Sequence, residues 1–131
     1  MGLDMHLTAK ARKGKHNLPA NTTVRQSTFH VGYWRKANHI HNWFVANAQD
    51  GVDECQKTYI DDSQLRTLRD VCLEVLADKT KAPTLLPTKP GFFFGGTDYD
   101  ERYFQDIEAT LIIVENALNL KMCDVFYQSS W

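Results

Sequence analysis

The chain has 131 residues, 43% hydrophobic and 24% charged, which suits one domain with a buried core and argues against disorder. No apolar run approaches the roughly 18 residues of a membrane span, so none is expected. The formal net charge of −1 argues against a general nucleic-acid coat.

The opening Met1-Gly2-Leu3-Asp4-Met5-His6 has neither a basic nor an apolar leader segment, and His6 stands where a myristoylation motif wants Ser or Thr. A cytoplasmic protein is expected. Leu3, Met5, Leu7 and Ala9 alternate with polar residues, predicting a half-buried strand. Arg12 to Asn17 follows as a basic, turn-rich loop, read either as a solvated connection or as a flap over phosphate. Phe29, Val31 and Tyr33 then alternate with Thr28, His30 and Gly32, predicting a second strand that turns near Gly32 into a helix.

That helix is the centre of the reading. Tyr33, Ala37, Ile40, Phe44 and Ala48 recur at helical spacing as a packing face, with Trp34, Asn38 and His41 on a neighbouring face. Trp34 and Arg35 fall near its N-terminus, where free N–H groups favour anions. Asp50-Gly51 supplies the stop. A short strand is expected within Val52 to Ile60, and Asp61 with Gln64 matches a capping box for a second helix. Leu65, Leu68, Cys72 and Val75 trace the buried face of that helix. Pro83, Pro87 and Pro90 exclude a regular helix from 79 to 90. Phe92, Phe93 and Phe94 cannot all enter one core from a strand, so at least one is available to another surface. Gly95-Gly96 permits close backbone approach, with Thr97 or Asp98 as cap of a third helix marked by Phe104, Ile107, Leu111, Val114 and Leu118. A strand from about Leu120 to Phe126 or Tyr127 closes the chain, with Leu120 and Met122 alternating against Lys121 and Cys123. The fold expected is a single α+β domain over 1–131, a small antiparallel sheet with about three helices packed on it.

The chemistry points to recognition. His39 and His41 stand two apart on a helix, on different sides, so they cannot chelate one ion, and no metal or cofactor motif is present. Cys55, Cys72 and Cys123 fit no zinc or disulfide pattern. Asp98, Asp100, Glu101 and Asp106 are read first as helix-dipole partners and second as a Mg²⁺ or general-base set. Trp34, Tyr99 and Tyr103 can stack on a ring, Arg35 and Lys36 can pair with phosphate, and Asn38 and Thr97 can address base or ribose edges. With His41, Phe93 and Asp100, these make the candidate ligand-binding set. Charge is uneven as well. Met1 to Lys36 holds seven Lys/Arg against one acid, a balance of +6, while the remainder holds eight against fifteen, or −7.

The opening Met1-Gly2-Leu3-Asp4-Met5, the stretch Val31 to Asn38 with Ile40-His41 and Trp43-Phe44-Val45, and Gln49 to Asp53 resemble a family of small phage and prophage proteins. Leu86-Pro87-Thr88, Gly91 to Gly95, Thr97, Tyr99-Asp100-Glu101 and Phe104 extend the resemblance over nearly the whole chain; His6 stands where relatives look more like tyrosine. The resemblance implies a viral gene expressed in bacterial cytoplasm and brings no activity with it. The function expected is binding, without catalysis, of a nucleotide-like anionic small molecule by a homo-oligomer, sequestering a host immune signal. The alternatives are a protein-binding inhibitor of a host defence complex and a small nucleotide-cleaving hydrolase using His41 or His39 with Asp100.

Overall fold

The computed structural model describes residues 2–12 and 28–131. The basic loop from Arg12 to Asn17 falls outside them, apart from Arg12. Strands β1 (Asp4–Ala11), β2 (Thr28–Arg35), β3 (Thr58–Ile60) and β4 (Cys123–Ser130) form one antiparallel sheet in the order β2-β1-β4-β3. Helices α1 (Asn38–Ala48), α2 (Asp62–Ala77), the single turn α3 (Ala82–Leu85) and α4 (Glu101–Asn119) complete the chain. The α+β reading holds. Among the described residues no helix is long and apolar enough to cross a membrane.

Alternation in β1 sends Met5, Leu7 and Ala9 fully into the core, and β4 adds Val125 and Tyr127. Helix α1 covers this face by stacking Phe44 on Tyr127, ring centroids 3.9 Å apart. Helix α4 covers β2, where Trp34 donates its indole N–H to Thr110 Oγ1 at 2.8 Å. Helix α2 packs on α4 through Leu65, Leu68, Cys72 and Val75, all fully buried as their spacing predicts. The Asp61–Gln64 capping box forms in both directions.

Three local expectations are overturned. The segment from Val31 is strand, not helix, as far as Arg35, because pairing with Asp4 to Leu7 outweighs a helical spacing that Tyr33 and Ala37 match by coincidence. Gly32 is therefore no turn; it sits in β2 because a Cβ there would lie 2.4 Å from Ile113 Cγ2. Tyr33 consequently leaves the packing face, stands 46% exposed, and donates its hydroxyl to Asp4. The chain instead turns at Lys36, which adopts a left-handed φ of 56°. The cap of α4 is Asp100, whose Oδ1 accepts the Tyr103 N–H at 3.0 Å, rather than Thr97 or Asp98. In β4 the inward residues are Val125, Tyr127 and Ser129, so alternation starts later than Leu120 and Met122 suggest.

Candidate functional site

The left-handed turn at Lys36 brings the start of α1 against the Gly91–Gly96 loop. Lys36 N–H donates to the Leu3 carbonyl at 2.7 Å, and Leu3 N–H donates to the Phe93 carbonyl at 3.0 Å. Lys36 Cβ lies so close to Gly95 that a Cβ there would come within 2.9 Å of it, and Gly95 itself has a φ of +86°. Strained or positive-φ backbone at Lys36, Phe93 (64°) and Gly95 is thus gathered in one place.

Asn38 locks this arrangement. Its buried amide N–H₂ donates to the Phe94 and Gly96 carbonyls at 3.0 and 2.8 Å, and its Oδ1 accepts the Lys89 N–H at 2.9 Å. Every strong bond of the side chain is used on the loop, so Asn38 builds a wall. On the other side Tyr103 is buried, donates its hydroxyl to the Leu86 carbonyl at 2.6 Å, and stacks on His39 at 4.1 Å.

Between these walls lies a polar cleft of about 250 Å³. Lys36 and Asn38 border one side with His39, Gly95 and Gly96; Asp100, Arg102, Tyr103 and Asp106 come from the start of α4, with Thr88 and Asp98 at the rim. Two cations thus face three carboxylates. Helix α1 begins here without a side-chain cap, since Ala37 occupies the cap position, and the N–H groups of Asn38 and His39 donate to no described residue. That leaves the positive end of a helix beside Lys36.

Desolvation sets the titration of the cleft. Burial holds His39 down to about 4, although its bond to the Tyr103 carbonyl at 3.2 Å acts in the other direction. The ring is neutral at pH 7, and that bond assigns its proton to Nε2, leaving Nδ1 as an acceptor. Burial pushes Asp106 up to about 6; Arg102 opposes this and Asp100 adds to it. Neither Asp106 carboxylate oxygen has a hydrogen-bond partner among the described residues, while its backbone carbonyl accepts from Thr110 Oγ1 at 2.6 Å.

Of the ten sequence-selected residues, Lys36, Asn38, Asp100 and Tyr103 line the cleft. Thr97 and Tyr99 brace its rim: the Thr97 carbonyl accepts from Thr88 Oγ1, and the Tyr99 hydroxyl accepts the Thr88 N–H. Phe93 stands outside, half exposed, in contact with Phe92. Arg35 is exposed at the end of β2, and Trp34 is 3% exposed in the core.

His41 lies elsewhere, 1% exposed, with Nδ1 2.6 Å from the Tyr127 hydroxyl. Asp53 Oδ2 approaches its Nε2 to 3.0 Å, outside the geometry of an aligned hydrogen bond. Burial depresses the His41 pKa, and Asp53 opposes that shift. The acid beside His41 is thus Asp53, not Asp100.

The ligand-binding set leaves out His39, Thr88 and Arg102, which also line the cleft. Arg102 and Asp106 stand four apart on a helix, a spacing that puts both on one face and could have been read. His39 enters the sequence reading only as half of an excluded metal pair and, with Asp100, in the hydrolase alternative. Thr88 falls in the Leu86-Pro87-Thr88 motif of the resemblance, but nothing in its spacing or chemistry marks it as a ligand residue. No family model, curated protein or solved structure matches the chain.

Proposed function

We propose that the protein binds a nucleotide-like anionic small molecule in the cleft between α1 and α4, without turning it over. The observation that carries this reading is the uncapped start of α1 opening beside Lys36, with Arg102 across the cleft. Two free N–H groups, a helix dipole and two cations favour phosphate. The carboxylates refine the ligand class. Asp98 and Asp106 call for hydrogen-bond donors, as an amino-bearing base supplies them. The ligand therefore carries both an anionic group and N–H donors. At about 250 Å³ the cleft is below the usual 300–1,000 Å³ of ligand sites, so it suits a compact ligand no larger than one mononucleotide. A larger signal would need clefts from more than one copy, which fits a homo-oligomer. In a phage protein of bacterial cytoplasm, tight retention without catalysis would sequester a host signal.

Calorimetry with nucleoside mono- and diphosphates, and chromatography of heat-released ligand from purified protein, test the reading. Retention of an unaltered phosphate ester is expected, weakened at least tenfold in Arg102→Ala. Absence of any retained or titratable nucleotide would sink the idea.

A second reading rests on a different observation. Phe92 is 86% exposed and meets Phe93 edge-on, an aromatic pair held out by a strained turn. Such a tip suits a protein partner, as an inhibitor of a host defence complex would require. Pulldown with parent and Phe92→Ser protein separates the two: one stoichiometric partner lost in the variant, with an empty cleft, favours inhibition.

A further inference from the structure

The sheet has a second face, and its composition is unusual. Opposite the core side, β1 presents Asp4, His6, Thr8 and Lys10, all half-buried, and no residue of this face is fully buried among those described. The register places side chains in rows across the strands. One row runs His30, Thr8, Phe126, Tyr59 over all four strands, and the next runs Tyr33, His6, Gln128. Neighbouring strands lie about 4.8 Å apart, so the first row spans roughly 14 Å. Rings gather at both ends. His6 meets His30 at 5.8 Å and Tyr33 at 5.2 Å, while Phe126 meets Tyr59 at 6.0 Å with Lys57 Nζ 4.8 Å over its ring.

The charges on this face are also uneven. Asp4 takes the Tyr33 hydroxyl and Asp124 pairs with Arg12 at 2.9 Å, so both acids are occupied. Lys10, Arg35 and Lys57 pair with no carboxylate among the described residues. Strands β1 and β2 also belong to the part of the chain with a balance of +6.

We infer that this outer sheet face binds single-stranded nucleic acid, with bases stacked on the two ring clusters and phosphates near Lys10, Arg35 and Lys57. Rings on a sheet surface offer stacking to any unpaired base, and three free cations suit a short stretch of backbone. A duplex hides its base faces and relies on many more cations than this face has, in line with the overall charge of −1. A second copy of the chain is a poorer occupant. The face holds no aliphatic side chain among the residues named, and self-association would set like charges against each other.

Fluorescence anisotropy with a labelled ten-nucleotide strand, as RNA and as DNA, and with the corresponding duplex, tests this. Single strands are expected to bind at least tenfold tighter than duplex, and the RNA and DNA arms show which sugar is preferred. Tyr33→Ala and Tyr59→Ala are each expected to weaken binding about fivefold or more, while Tyr33→Phe keeps the stacking ring and binds within about twofold of the parent. Both tyrosines are about half exposed, and circular dichroism checks that the variants stay folded. No single-strand binding at low salt, equal binding of duplex, or unchanged affinity in both alanine variants would overturn the inference. So would sedimentation showing a dimer that Tyr33→Ala dissociates, with no oligonucleotide bound by the parent.

Discussion

Lys36 and Asn38 divide the work at the cleft, one carrying charge and the other holding the wall. Lys36 sits in left-handed backbone that glycine adopts without penalty. Lys36→Gly is therefore expected to leave stability within about 1 kcal/mol of the parent while weakening phosphate binding at least tenfold, read by urea denaturation and calorimetry. Asn38→Ala is the opposite case. It strands the buried Phe94 carbonyl and leaves the part-buried Gly96 carbonyl and Lys89 N–H to solvent, so a loss of about 2 kcal/mol is expected in the same denaturation experiment. His39 and Asp106 give the cleft a pH signature with opposing signs. His39 is depressed from 6.5 to about 4, so unfolding takes up a proton and stability falls as pH drops through that window. Asp106 is raised from 3.8 to about 6, so its contribution runs the other way, with stability falling as pH rises between those values. The two offset each other between about pH 4 and 6. Asp106→Asn is expected to be more stable than the parent at pH 7.5, by on the order of 1 kcal/mol after allowing for partial exposure, with the gain gone below pH 4. A destabilised carboxylate kept in a cleft is what a binding role for it would explain.

At the scale of elements, the packing of α4 on β2 depends on Gly32. Gly32→Ala is expected to cost about 2 kcal/mol, because Ile113 occupies the space its methyl needs, and Ile113→Ala in the same chain should recover part of that loss. A double-mutant cycle in urea reads both. The junction of β2 with α1 was also the element hardest to read from sequence. Val31 to Arg35 satisfies strand alternation and helical spacing at once, and only the long-range pairing with β1 decides between them. By contrast α2 was legible nearly residue by residue, since its cap, spacing and buried face all agree locally. The cap of α4 was misplaced by two or three residues because Thr97, Asp98 and Asp100 are all competent caps, and the choice rests on where the loop is held by Asn38 and Thr88.

Over the whole molecule, the α+β class and the order of strands and helices followed from periodicity, whereas the cleft did not, because its walls meet only through tertiary contacts. The candidate set joins residues of the β2–α1 junction to residues between Phe93 and Tyr103, as the cleft does in part; it includes Trp34 and His41 because helical spacing aligns them with Asn38. In the fold they serve the core instead, through Thr110 and Tyr127. Cooperativity of that core has its own readout in Cys72, fully buried on α2 and with its thiol pushed up to about 12 by burial. Under native conditions Cys55 and Cys123 are expected to react with a thiol reagent and Cys72 only on global unfolding, so its rate tracks denaturant as the whole domain does. The most direct test of the cleft's role is calorimetric titration of parent and Lys36→Gly protein with nucleoside phosphates, each beside its uncharged nucleoside. Saturable binding that needs the phosphate and is lost in a folded Lys36→Gly protein is expected; equal binding by both proteins, or none by either, would contradict it.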